Sequence, residues 1–147
     1  MKKDTRVGVK TGLRAVLDTN VYLSAFYHPN GIPAKIFEAG ILKIYERIVS
    51  PAIIEEYARI SRKKFGAVEE EIEQDKKMIT HGAVVVKPDF IPSAVSHDEN
   101  DNNIIACAIT GKADVVVSGD RDLLRLKEFE EIAIVRPVDF LRIIGKG

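Results

Sequence analysis

Four acidic positions stand where carboxylates could be brought together. Asp18 and Asp120 each follow a short apolar run, Glu56 lies in a helical stretch, and Asp101 ends the cluster Asp98-Glu99-Asn100-Asp101. Taken singly, each has an ordinary explanation: aspartate is common as a helix cap or turn residue, and acids at a helix start complement its dipole. One cap needs one side chain, however, and the cluster at 98–101 holds three acids and an amide. Gathered at one place, such carboxylates repel one another until some take up protons or a cation neutralises them. Oxygen-only ligation suits a hard ion, Mg²⁺ or Mn²⁺, better than zinc. A carboxylate-bound ion of this kind polarises a phosphoryl group and supplies hydroxide near neutral pH, so the natural reaction is phosphate-ester hydrolysis.

Competing chemistries find less support. His28, His81 and His97 are scattered, with none at metal-ligand spacing, and read as surface or capping residues. Cys107 sits on an apolar helix face with no paired base, as a small core residue does. A haloacid-dehalogenase phosphatase would place a second acid where Asn20 stands, and a response-regulator receiver would need an acidic pair before the Asp18 strand. No glycine-rich phosphate loop is present. On the helix after Ser50-Pro51, Glu55 and Glu56 lie about 100° apart, so only one can face a shared site. The apolar pattern of Ile53, Tyr57 and Ile60 barely separates them.

The elements that must position these residues alternate. Residues 14–18 read as a buried strand, followed by a helix from near Val21 capped by Thr19-Asn20 and stopped by the turn formers at 27–31. A helix over Pro33–Ala39 precedes Gly40. A strand over Glu46–Ser50 leads into the Ser50-Pro51 helix, which Gly66 ends. Another helix covers about Val68–Thr80, stopped by Gly82, then a strand at Ala83–Lys87 and a proline-containing loop over Pro88–His97. A helix from Asn100 or Asp101 to Gly111, a strand ending at Asp120, a short helix at Asp122–Leu126, a strand at Ile132–Val135 and a helix at Val138–Ile144 complete the chain. Continuous apolar strands alternating with helices predict an α/β fold, a three-layer α/β/α sandwich around a mainly parallel sheet. In such sheets the working site lies beyond the carboxyl ends of the strands, where Asp18 and Asp120 stand.

The chain of 147 residues suits one domain, spanning 1–147 with a core over about 14–144 and residues 1–12 peripheral. At 46% apolar and 30% charged it reads as a soluble globular protein. Its apolar runs are too short to span a bilayer, no apolar signal segment follows the basic first residues, and one cysteine makes no internal disulfide, so a cytoplasmic location is expected. Basic and acidic residues balance at 22 each, which weakens any role that depends on an overall positive field. A local basic face can hide within that sum: Arg59, Arg62, Lys63 and Lys64 crowd one helical segment, although most such runs are solvated surface.

The sequence Val16-Leu17-Asp18-Thr19-Asn20-Val21, the step from Ser50-Pro51 into Glu55-Glu56-Tyr57, the cluster Asp98-Glu99-Asn100-Asp101, and Val117-Ser118-Gly119-Asp120-Arg121-Asp122-Leu123-Leu124 occur in that order. Together they resemble the PIN-domain nucleases, in the branch of toxin components of toxin–antitoxin systems related to VapC, over about Arg14 to Leu141. The resemblance implies a PIN fold, a Mg²⁺- or Mn²⁺-dependent endoribonuclease leaving a 5′-phosphate and a 3′-hydroxyl, a small antitoxin partner, and often a homodimer. It places the four principal acids on Asp18, Glu56, Asp101 and Asp120, with Asp122 as an additional acid near the metal or for a second one. Asn20 and Ser118 fall on polar positions that orient ligands or water, and Asp98 supports them. Asn100 departs from the pattern, where related sequences often carry aspartate. Arg121, Arg59, Lys63 and Lys64 are the candidates to grip an RNA backbone. The rival readings are a PIN-like RNA- or protein-binding module without turnover and a Mg²⁺-dependent phosphatase.

Overall fold

The computed structural model describes residues 12–92 and 98–145. The expectations for residues 1–11, for His97 and for the end of the Pro88–His97 loop lie outside the described residues. Among the described residues, six strands, β1 (Arg14–Leu17), β2 (Glu46–Val49), β3 (Val84–Val85), β4 (Val115–Val117), β5 (Glu128–Phe129) and β6 (Ile132–Val135), form one sheet in the order β3-β2-β1-β4-β6-β5. All neighbours are parallel except β5, which pairs antiparallel with β6. The helices are α1 (Thr19–Tyr27), α2 (Ile32–Ile41), α3 (Pro51–Phe65), α4 (Glu69–Thr80), α5 (Glu99–Thr110), α6 (Arg121–Leu126) and α7 (Pro137–Ile143). This is the expected mainly parallel sheet flanked by helices. Among the described residues, no helix is long and apolar enough to cross a membrane.

The central strands are apolar on both faces because helices cover both. Ala15, Val16 and Leu17 of β1 and Val116 and Val117 of β4 are fully buried. Helix α5 lies across β1, β2 and β4, while α2 packs between α1 and α7. β-Branched residues at these short strands fit the pleat and fill the space under the helices. Contact there is close: a Cβ at Gly111, just past α5, would come within 2.5 Å of Ile48 Cγ2.

Several helix boundaries differ from those expected, for local reasons. Asp18, Asp98 and Asp120 are themselves the N-cap residues of α1, α5 and α6, so these helices start one or two residues early and Thr19 and Asn20 lie inside α1. Ser50 caps α3 through its hydroxyl and Gly66 ends it at φ 64°, as the sequence predicts. Gly40 does not stop α2 but lies within it. The reason is Arg47 on β2: a Cβ at position 40 would meet its Cδ at 2.8 Å and its Cγ at 2.9 Å. We expect Gly40→Ala to cost about 1–3 kcal/mol through overpacking, read as a lower urea midpoint. An unchanged midpoint would mean that the arginine stem yields freely.

Arg47 is a buried cation, 1% exposed, and its ligands are neutral. Its guanidinium donates to Ile79 O at 2.8 Å, His81 O at 2.9 Å and the Tyr22 hydroxyl at 3.1 Å. It also lies 4.8 Å from the Phe37 ring centroid. The two carbonyls belong to the end of α4, where the helix dipole is negative and carbonyls lack helical donors. One arginine thereby fastens α4 to the sheet beneath α1 and α2.

Candidate active site at the switch point of the sheet

From β1 the chain first adds strands on one side of the sheet, β2 then β3, and afterwards crosses to β4 on the other. The gap beyond the carboxyl ends of β1 and β4 is therefore a topological switch point, where connections diverge and leave a crevice. Asp18 follows β1 and Ser118 follows β4. The backbone ties them in place, with Asp18 N–H donating to Val117 O at 2.9 Å and Ser118 N–H to Val135 O at 3.0 Å.

Asp18 is buried, 6% exposed. It accepts a hydrogen bond from Ser118 Oγ at 2.7 Å, and Ser118 Oγ in turn accepts from Asp120 N–H at 2.9 Å. Burial pushes the pKa of Asp18 up, the Ser118 hydroxyl pulls it down, and the nearby Asp120 charge raises it again, with smaller downward pulls from the amides of Thr19 and Asn20. The balance is a raised pKa, set chiefly by burial. Ser118 thus links the first and last acidic motifs through one hydroxyl.

Carboxylate oxygens of Asp98, Asp101 and Asp120 lie within 4.8 Å of one another. Asp101 is 2% exposed and points from the first turn of α5. Asp98 and Asp120 serve as caps as well, accepting from Asn100 N–H at 2.9 Å and Asp122 N–H at 2.8 Å through one oxygen each. A carboxylate has two oxygens, so the capping role and membership of the cluster are compatible. Asp98 joins the cluster more directly than a supporting position would suggest.

Glu56 is outside this trio yet connected to it. Its Oε2 accepts from Asn100 Nδ2 at 2.8 Å, and Arg59 grips both its oxygens at 2.9 Å. Arg59 accordingly holds its carboxyl below the usual range. Glu55 is turned away and pairs with Lys76 of α4. The packing of α3 between α4 and α5 thus separates two glutamates that the sequence leaves equivalent. Asn100 links Glu56 to the α5 cap, a role that becomes visible only in three dimensions.

The remaining candidates spread outward. Asp122 is exposed and pairs with Arg125 at 3.2 Å, so its side chain is not brought into the trio. Asn20 and Arg121 are exposed beside the crevice. Lys63 and Lys64 lie in the last turn of α3, where cations complement the helix dipole. With Asn20 and Arg59 they line a groove of about 440 Å³ between α1 and α3. His28 and His81 are C-cap residues of α1 and α4. Cys107 is fully buried, and burial pushes its thiol up to about 12, which suits a core residue.

The donor set is all oxygen, partly buried and acidic, and the three carboxylates lie near enough to one another to share a cation after small side-chain shifts. These residues fit Mg²⁺ or Mn²⁺ better than a metal that favours sulfur or nitrogen ligands.

The PIN domain family matches residues 14–122, a span that holds every acidic motif described above. The chain belongs to the PIN-domain family. It is 35% identical over 123 residues to the uncharacterized protein MJ1680 of Methanocaldococcus jannaschii, covering 81% of this chain and 78% of that protein. Among solved structures it resembles VapBC2 of Rickettsia felis bound to a promoter DNA fragment, with TM-score 0.58, 12% identity, and 84% of this chain and 98% of that one covered. It also resembles VapBC-1 of nontypeable Haemophilus influenzae, with TM-score 0.56, 14% identity and coverage of 86% and 99%. PAE2754 of Pyrobaculum aerophilum aligns at TM-score 0.54 and 16% identity over 92% and 91%. At such identities the likeness is one of fold, and that fold is VapC-like.

Proposed function

We propose that this protein is a metal-dependent endoribonuclease acting in the cytoplasm as the toxin of a toxin–antitoxin pair. The observation that carries this reading is the convergence of Asp98, Asp101 and Asp120 beside buried Asp18 at the switch point of a PIN-family sheet. Asp18, Asp101 and Asp120, with Asp98, would hold Mg²⁺ or Mn²⁺. When bound, the ion polarises the scissile phosphodiester and lowers the pKa of water. Ser118 holds Asp18 and Asn100 holds Glu56, and in this reading Glu56 orients the attacking water. Asp122, which pairs with Arg125, would have to give up that contact to serve a second ion. In this reading Arg121, Lys63 and Lys64 meet the RNA backbone. The VapBC names of the solved neighbours support an antitoxin partner, and pairing of two copies belongs to the same proposal.

The test is cleavage of a labelled single-stranded RNA pool by pure protein in Mn²⁺, Mg²⁺ or EDTA, beside mononucleotides as controls. Cutting that requires metal supports the enzyme. Release of phosphate from mononucleotides alone would identify a phosphatase, and RNA binding without cutting would identify a binding module. The two adjacent glutamates give a sharper check. Glu56→Gln should lower the rate about 10–100-fold, the usual effect of losing a partner that orients metal ligands. Glu55→Gln should stay near the parent rate, since Glu55 faces α4. Equal losses would show that Glu56 has no special place.

A further inference from the structure

The groove between α1 and α3 contains an aromatic side chain that the acidic site does not use. Phe65, the last residue of α3, is 47% exposed, far more than a core ring. One of its faces is covered by Tyr27 of α1, with ring centroids 4.0 Å apart and planes within 10°. Phe65 also lines the groove, together with His28, Lys63 and Lys64. Among the described residues, no salt bridge involves either lysine. The groove also reaches Asn20 and Arg59, and Arg59 is bonded to Glu56. Arg59 thus stands between the groove and Glu56.

From these contacts we propose that Phe65, braced by Tyr27, is a stacking platform for one base of a single-stranded RNA whose backbone runs along Lys63 and Lys64 toward the acidic cluster. This rests on the nuclease reading for the chemistry of the occupant. An exposed ring with one face backed by a second aromatic presents a flat, preorganised surface, and base–aromatic stacking beside cations is how single strands are held without sequence readout. Charge complementarity argues for a polyanion: the acidic crevice needs a cation before it tolerates a phosphate, whereas this groove is already basic. The scale fits as well. Glu56 and Phe65 are nine residues apart on one helix, or about 13 Å at 1.5 Å per residue. That distance holds about four stacked nucleotides at 3.4 Å each, and fewer when the strand is extended. The platform thus takes a base two to four nucleotides from the scissile bond, and a duplex, whose bases already stack on each other, does not occupy it.

The test uses full-length protein carrying Asp18→Asn in EDTA, so that binding is read without cutting. Single-stranded oligonucleotides carry 2-aminopurine at successive positions. The expected result is quenching at one position, lost in Phe65→Ala together with a tenfold weaker affinity, equivalent to about 1.4 kcal/mol. Phe65→Tyr keeps the quench. Lys63→Ala with Lys64→Ala lowers the salt slope by about 1.4, at roughly 0.7 per single-strand contact. Unchanged affinity in Phe65→Ala, or no quenching at any position, overturns the platform. So does a variant that binds RNA normally but fails to hold a partner protein, which would make the groove a protein-docking face. Binding that depends on Phe65 in a protein that cuts no RNA in Mn²⁺ would refute the nuclease and leave the platform standing. Cutting and binding that ignore Phe65 would do the reverse.

Discussion

Asp18→Asn should abolish metal-dependent RNA cutting, a loss on the order of 10³-fold or about 4 kcal/mol of transition-state stabilisation, while the protein melts no lower than its parent in EDTA. The two halves of this expectation have one cause. Asp18 is a buried carboxylate whose charge is opposed by desolvation and by Asp120, and whose hydrogen bond comes from Ser118. Asparagine keeps its shape and can accept from Ser118 through its amide oxygen, but it removes the charge. Without metal the substitution relieves repulsion, and with metal it removes a ligand. In the parent, Mn²⁺ at 100 times its Kd should stabilise the fold by about 2.7 kcal/mol. For a chain of this size that raises Tm by about 5–10 °C. The variant should show a much smaller rise in a melt monitored by circular dichroism over a Mn²⁺ titration. Equal thermal shifts in parent and variant, or cutting by the variant, would remove Asp18 from the metal site.

Arg47→Ala should destabilise the protein by about 3–5 kcal/mol, combining a large-to-small cavity with buried acceptors left unpaired. The expected fall in Tm is about 10 °C. Three acceptors lose their donor at once, the carbonyls of Ile79 and His81 and the hydroxyl of Tyr22, and the Phe37 ring loses its cation. Lysine should restore little. A single ammonium on a flexible stem cannot span acceptors that the planar guanidinium reaches from its two ends. Hydrogen exchange should locate the damage, with the amides of α4 losing protection ahead of those in α5. RNA cutting per folded molecule should be unchanged, because Arg47 contacts none of the acidic motifs. A Tm within 2 °C of the parent, set against the expected fall of about 10 °C, would show that water or a repacked side chain serves those carbonyls as well.

The sequence pattern carries the sheet, the order of the acidic motifs and the class of the fold, because apolar runs of β-branched residues and Ser-Pro or glycine punctuation are local signals. It does not carry the choices that depend on what packs opposite. Glu55 and Glu56 flank the same apolar stripe, and only the placement of α4 and α5 on either side of α3 sends one to Lys76 and the other to Asn100. Gly40 reads as a helix stop because glycine commonly is one, yet here it makes room for a side chain from a strand. Arg47 itself reads as an ordinary charge in a strand, since a buried arginine served by helix-end carbonyls leaves no mark in one dimension. The strand β5 is two residues long between Lys127 at φ 63° and Glu130 at φ 50°, too short for any alternating pattern. Treating Asp98 and Asp120 as either caps or ligands also poses a false choice. Each caps its helix through one oxygen and also lies in the acidic cluster.

Both borders of the sheet are formed by strands of two residues, β3 on one side and β5 on the other. A border that short presents almost no ladder of free amides and carbonyls for another chain to continue. The β5 border carries a further obstacle, because Glu128 is exposed on it and its strand runs against the direction of the rest. Edge-to-edge pairing is thereby disfavoured at both sides, even though the interior strands are as rich in valine and isoleucine as an aggregation-prone segment.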